Sequence, residues 1–261
     1  MTSLKKHLIL AFAALAWLLA GAAHAAGGGI AWDKFPEERM TDMAALQNGA
    51  KVFVNYCLNC HGAEYMRYNR MRDIGLTEEQ ITENLLFAGE KVGELMKVPM
   101  TALQGKQWFG AQPPDLSVIA RSRSVPGQGS GADYLYTYMR TFYRDDSKAT
   151  GWNNLAFPSV AMPHVMWQLQ GQQRAVYEES KDPHDATKTV HVFKGFEQIE
   201  PGTMTPAQYN ETVADLVAFL QWMGEPVQAE RKRLGVGVLI FIALFTVIAW
   251  FLNAAYWKDV K

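Results

Sequence analysis

The sequence predicts a mostly α-helical domain with long loops, one small β-hairpin and one C-terminal transmembrane helix. Three observations carry that prediction. Helix-start signals open runs of apolar residues at helical spacing, most clearly at Thr205-Pro206-Ala207-Gln208. Between Arg174 and Phe193 the pattern turns instead to alternation, with Val190 and Val192 set among polar residues. From Leu234 to Trp257 not one residue is charged.

The N-terminus reads as an export signal over residues 1–25. Lys5 and Lys6 give it a basic start, and Leu8 to Leu19 is an apolar core too short for a comfortable membrane span. Ala23-His24-Ala25 is a small-x-small cleavage site, so the mature chain is expected to start at Ala26 and its exported domain to cover 26–230. A helix is expected from about Asp42 to Cys57, with Leu46, Ala50 and Phe53 on one side. Thr77-Glu78-Glu79-Gln80 is a capping box that predicts a short helix with Ile81 and Leu85 on its apolar face and Gly89 as its stop. Pro113-Pro114-Asp115 breaks the chain before a helical turn. Gly127 to Gly131 is a loop, and Tyr134 to Tyr143 is expected as a helix with an aromatic face. Pro158 to Pro163 shows neither period and is expected as an ordered loop. Lys181-Asp182-Pro183-His184-Asp185 reads as the hairpin turn. The helix opened by Thr205 has a proline at its first position; Val213, Leu216, Val217 and Leu220 follow, and Gly224 and Pro226 end it. The apolar run 234–257 is long enough for ~30 Å of hydrocarbon. Arg231, Lys232 and Arg233 mark one interface, Trp250, Tyr256 and Trp257 the other, and 258–261 is a short tail.

Cys57-Leu58-Asn59-Cys60-His61 reads C-x-x-C-H, the attachment signature of a c-type haem. Two thiols at this spacing each bond one vinyl group of the porphyrin, and the adjacent histidine sits under the iron. These are the only two cysteines, so one covalently bound haem c uses the whole thiol inventory. A zinc site would need two more ligands, and His164, His184 and His191 form no H-x3-5-H pair. A thioredoxin-like couple needs no adjacent histidine and no βαβ pattern surrounds this one. The domain is therefore expected to be a class I-like c-type cytochrome, and export agrees with attachment outside the cytoplasm. A methionine above the iron closes the site and favours electron transfer. Met100, in Val98-Pro99-Met100, and Met162, in a loop flanked by Pro158 and Pro163, are both candidates; His164 is a third, and spacing alone does not choose. The formal charge of −1 argues against nucleic acid and permits a basic partner.

Val52-Phe53-Val54-Asn55-Tyr56 precedes the haem motif and Met66-Arg67-Tyr68 follows it. Gly110-Ala111-Gln112-Pro113-Pro114-Asp115-Leu116-Ser117 comes next, then Arg121, Arg123, Asp133-Tyr134, Ala161-Met162-Pro163 and the C-terminal anchor. In that order the chain resembles the cytochrome c1 family, the haem subunit of cytochrome bc1 complexes, of a bacterial type. Many members read Met-Ala-Pro-Pro at the ligand loop, where this chain reads Met162-Pro163-His164. The resemblance implies that Met162 is the axial ligand opposite His61. It implies that Arg123, with Arg121 as the alternative, meets a haem propionate, and that Tyr134, Pro113 and Pro114 wall the pocket. It implies an electron relay, not an enzyme on its own, within a ubiquinol–cytochrome c reductase. The electron would come from a Rieske iron–sulfur protein, beside cytochrome b, and pass to a periplasmic cytochrome c. The chain would sit once in the bacterial inner membrane, in contact with lipid, with the haem domain on the periplasmic side. That orientation puts Arg231-Lys232-Arg233 outside, against the positive-inside tendency. The alternatives are a membrane-anchored carrier outside any such complex and a haem enzyme with an open iron site.

Overall fold

The computed structural model describes residues 30–181 and 187–259. The leader and cleavage site expected over 1–25 lie outside those residues, as do 182–186 of the hairpin turn and the last two residues.

Asp42 accepts from the backbone N–H groups of Ala44 (2.9 Å) and Ala45 (3.3 Å) and so starts α1, Met43–Val52. The helix widens into a π turn, Phe53–Cys57, that delivers the first cysteine, as the apolar periodicity predicts. Strand β1 (Ala63–Arg67) follows, then a 3₁₀ segment, Tyr68–Ile74. The Thr77 box forms and opens α2, Glu78–Asn84. That helix stops before the expected Gly89, because Leu85 leaves helical φ (−132°) and turns into the core. β2 (Leu95–Met96) pairs antiparallel with β1. A further Thr-x-x-Gln box, Thr101 with Gln104, opens α3, Ala102–Phe109, a helix not expected from periodicity; Gly110 ends it in the left-handed region (φ 77°). After the Pro-Pro break comes α4, Ile119–Ser122, and then α5, Gly131–Arg140, capped by Ser130.

The aromatic helix expected through Tyr143 ends at Arg140. Phe142–Arg144 form β3 instead, paired with β4, Trp152–Asn154, and Phe142 is buried there. The ordered loop over Pro158–Pro163 follows, then the single turn α6, Trp167–Gln170. The hairpin stands where alternation placed it but is longer than expected. Strands β5 (Gly171–Lys181) and β6 (Thr189–Pro201) have 11 and 13 residues, with register shifts at Gln172/Gln173 and Val176/Tyr177. Thr205 and Pro206 open α7, Pro206–Gly224, as predicted. The last helix, α8, runs over Gln228–Tyr256 and so begins before the apolar run.

The core forms where α1 crosses α7. A Cβ at Gly49 would lie 2.0 Å from the Asp215 carbonyl oxygen, so only glycine permits this approach, and Phe53 meets Phe219 at 5.6 Å beside it. The buried Asp215 carboxylate is paired, with Arg39 Nη1 at 2.9 Å and Asn48 Nδ2 at 2.8 Å. Helix α5 packs on the other flank of α7, where Tyr209 donates to the Met139 carbonyl at 2.8 Å. The segment before α1 straps over α5. Phe35 N–H and Lys34 Nζ both donate to Asp133 at 2.9 Å, and Trp32 meets the Tyr134 ring edge-on at 5.1 Å. Helix α8 buries none of its residues and is long and apolar enough to cross a membrane. At its start Arg231 pairs with Glu225, and Lys232 lies 3.8 Å from Glu37.

Candidate haem-binding site

The π turn at the end of α1 sets the first half of the site. Leu58 N–H donates to the Phe53 carbonyl (3.0 Å), and the N–H groups of Cys60 (3.1 Å) and His61 (2.8 Å) both donate to that of Cys57. This tight turn puts both thiols and the imidazole at one helix end, with Leu58 buried as its anchor. Both thiols are free; Cys57 is buried and Cys60 partly so. Burial, with Cys60 beside it, pushes the Cys57 thiol up to about 12, and burial also raises Cys60.

His61 Nδ1 lies 2.7 Å from the Pro114 carbonyl oxygen. A carbonyl only accepts, so Nδ1 carries the proton and Nε2 keeps its lone pair. Burial lowers the His61 pKa, opposed by the Pro114 carbonyl and by Asp115. The segment that supplies this carbonyl is stitched to the chain just after the motif. Leu116 N–H donates to Gly62 O (2.8 Å), Glu64 N–H to Asp115 Oδ2 (2.8 Å) and Tyr65 N–H to Ser117 Oγ (3.1 Å). Asp115 Oδ1 also accepts from Ser117 N–H at 2.8 Å. The Pro113-Pro114-Asp115-Leu116-Ser117 stretch is thus the brace of the histidine.

The residues expected to form the second half lie on α5 and the loop after β4. Met162 Sδ accepts from the Tyr138 hydroxyl at 3.4 Å. Tyr138 stacks on Tyr134 (5.7 Å, 24°), and Arg123 Cζ lies 5.7 Å from the Tyr134 ring centre. Burial raises the pKa of both tyrosines, and the Arg123 charge opposes it. Two asparagines shape the loop. Asn154 Oδ1 accepts from Ala156 N–H (2.8 Å), Phe157 N–H (3.1 Å) and Thr141 Oγ1 (3.2 Å), while its Nδ2 donates to Tyr138 O (2.7 Å). Asn153 Oδ1 accepts from Ser159 N–H at 2.8 Å, where Ser159 holds a left-handed φ of 61°.

The expected residues therefore divide. Met162, Tyr134 and Arg123 are linked in one run of contacts through Tyr138. Arg121 turns away: its Cγ lies 3.7 Å from the Cβ position of Gly224, and it joins Arg231 and Gln228 around Glu225, whose carboxyl is held low chiefly by Arg231. The Met100 methyl lies 3.6 Å from the Cβ position of Gly105, a position that the Pro113 ring also approaches. His164 is 1% exposed, and burial lowers its pKa to about 4 against a nearby Gln170. Sequence reasoning missed Tyr138, Asn153 and Asn154. The signals were there: Tyr138 lies one turn after Tyr134, and paired asparagines precede a proline-flanked loop.

The donor chemistry fits a covalent haem: two thiols three residues apart, an imidazole with Nε2 left free by its own hydrogen bond, and a thioether held by one hydroxyl. Among the described residues no three His, Cys, Asp or Glu side chains converge to hold a bare metal ion.

The profile of the Cytochrome C1 family matches residues 34–91 and 90–260. The chain is 45% identical over 253 residues to a protein of Nitrosomonas europaea named ammonia monooxygenase gamma subunit, covering 97% of this chain and 99% of that one. It is 43% identical over 244 residues to the cytochrome c1 of Allochromatium vinosum, covering 93% and 96% of the two. It is 28% identical to the cytochrome c1 of Rhodospirillum rubrum, with both chains covered in full. Cytochrome c1 proteins bind one covalent haem c. With the profile running from the strap before α1 to the end of α8, and a donor set of the same kind between them, the chain belongs to the cytochrome c1 family.

Proposed function

We propose that this chain receives single electrons from a Rieske iron–sulfur protein and hands them to a periplasmic cytochrome c, within a ubiquinol–cytochrome c reductase that also contains cytochrome b. Membership of the family supports a role as a haem c electron-transfer subunit of a bc1 complex, and is consistent with a chain that does not act as an enzyme alone. When bound, the haem supplies a one-electron iron couple. Cys57 and Cys60 would hold it covalently, and His61 Nε2 and Met162 Sδ would hold the iron. The Pro114 carbonyl fixes the tautomer and direction of His61, and the Tyr138 hydroxyl fixes Met162. Arg123, beside Tyr134, would pair with a carboxylate such as a propionate; the position of Arg121 near Glu225 supports that choice. The observation that carries this reading is the 2.7 Å contact from His61 Nδ1 to the Pro114 carbonyl, which leaves Nε2 free in a C-x-x-C-H motif.

Residues 1–25 would be removed on export, 26–230 would stand on the periplasmic side, α8 would cross the inner membrane, and 258–261 would remain in the cytoplasm. The pairing of Arg231 with Glu225 and of Lys232 with Glu37 supports this orientation, because carboxylates of the soluble domain offset charge that the positive-inside tendency disfavours there. The name of the Nitrosomonas relative favours a second reading, association with an oxygenase. Affinity purification of the full chain from solubilised membranes separates the two. Cytochrome b and an iron–sulfur protein are expected with it. Oxygenase subunits in their place would decide for the second reading. Stoichiometric carbon monoxide binding by the reduced chain would point to an open iron site and contradict both Met162 and the relay.

A further inference from the structure

We propose that His164 is a positioning residue for Met162, an aromatic wedge that pins the far end of the loop carrying the thioether. The near end of that loop is fixed by Asn153 and Asn154. At the far end His164 is enclosed in the core. Its ring stacks on Phe142 at 4.8 Å with the planes 3° apart, and meets Trp152 at 5.1 Å and Tyr209 at 6.4 Å edge to face. Phe142 in turn takes the edge of Tyr138 at 5.0 Å, and the Tyr138 hydroxyl reaches Met162 Sδ at 3.4 Å. The contacts close a circuit from Met162 through Tyr138, Phe142 and His164, and back along the chain through Pro163.

Both nitrogens of His164 are buried without a hydrogen bond of normal geometry, and the similarly buried and unpaired Gln170 Oε1 belongs to the one side chain that acts on the imidazole. The ring's contacts of defined geometry are therefore those of its faces and edges with Phe142, Trp152 and Tyr209. A buried imidazole left unpaired is unfavourable, so the stack on Phe142 is what keeps it there. A shift of His164 out of this slot would move Pro163 and Met162 with it, since only one residue separates them. His164 thus acts on the iron through Met162.

The inference rests on Met162 as the iron ligand, and the test keeps the two apart. Three variants of the full-length haem-loaded protein are compared. His164→Phe keeps the flat ring and removes the nitrogens, His164→Ala removes the ring, and Met162→Ala removes the thioether. Haem staining on a denaturing gel and far-ultraviolet circular dichroism report attachment and fold. The weak far-red sulfur-to-iron band of the oxidised protein should persist in His164→Phe, fall by more than half in His164→Ala and vanish in Met162→Ala. Carbon monoxide binding by the reduced protein should appear only in the two alanine variants. An unchanged band in His164→Ala, or a loss in His164→Phe equal to that in His164→Ala, overturns the positioning role. A band that survives Met162→Ala overturns the ligand reading instead. If His164→Ala does not accumulate, His164→Leu keeps bulk in the slot, removes the flat stacking face and decides the same question: a weakened band supports the wedge and an unchanged one overturns it.

Discussion

The His61 side of the site and the Met162 side are held by different means. On the His61 side, two segments far apart in sequence, the chain that follows the π turn at Phe53–Cys57 and the brace at Pro114 to Ser117, are laced together by hydrogen bonds that each use a main-chain atom. On the Met162 side, a loop without regular structure hangs on side chains from several elements: Tyr138 of α5, Phe142 of β3, and Asn153 and Asn154 of β4. The comparison teaches that the first half of this site is written as a contiguous motif because its chemistry needs fixed covalent spacing. The second half is a packing solution spread over the fold. Damage to the first should remove the cofactor, and damage to the second should change the ligation while leaving the cofactor attached.

The largest expected effect is on attachment. Replacing Cys57 and Cys60 together by serine should abolish covalent haem staining, because no other thiol exists in the chain. Asn154→Ala comes next. It removes three accepted hydrogen bonds and one donated bond from a buried position, at a cost of about 3 kcal/mol in a denaturant titration. Covalent haem should be retained in this variant while the far-red band weakens, which sharpens the division between the two sides. Asp115→Ala should cost less, about 1 kcal/mol, since Asp115 is exposed and water can replace its oxygens at Glu64 and Ser117 N–H. It should leave the far-red band in place; loss of the band there would break the comparison.

The smallest effect is on acid stability of the Met162 side. Hydrogen bonds from Ser147, and then from Asn153 at 2.8 Å, hold the Asp145 carboxyl below its ordinary value against a slight opposing effect of burial. A carboxyl lowered on folding contributes stability that is present above its unfolded pKa and lost as the pH falls through the folded one, here below about pH 4. Asp145→Asn should therefore lower the unfolding midpoint above pH 5 and flatten its acid limb, the variant and parent curves converging below about pH 4. A parallel shift at all pH values would contradict the linkage.

The same contrast explains what could be read in advance. Helices α1 and α7 were legible because each pairs a capping signal with a buried apolar stripe, and the long apolar run announced α8. Helix α3 carries a box of the same kind, but Leu103 and Trp108 are 65% and 62% exposed, so no buried stripe marks it. Tyr134, Tyr138 and Phe142 stand four residues apart and read as one helical face. Their rings do make that row of contacts, but the chain changes from α5 to β3 between the last two. Arg121 and Arg123 could not be told apart in sequence because α4 ends between them, and the two side chains leave in different directions. The two methionines posed the same difficulty, since sequence spacing carries no information on what each one packs against, Met162 at the Tyr138 hydroxyl and Met100 near Gly105.

The most direct test is a pair of single substitutions. Met162→Ala and Met100→Ala are made in the full-length protein and their oxidised spectra and reduction potentials compared. The account predicts that Met162→Ala removes the far-red band and lowers the potential with the haem still covalently attached, because thioether ligation is what raises it. It predicts that Met100→Ala, whose methyl lies near Gly105, leaves both unchanged. Loss of the band in Met100→Ala with its survival in Met162→Ala would contradict the assignment of the Met162 loop and the division of the site built on it.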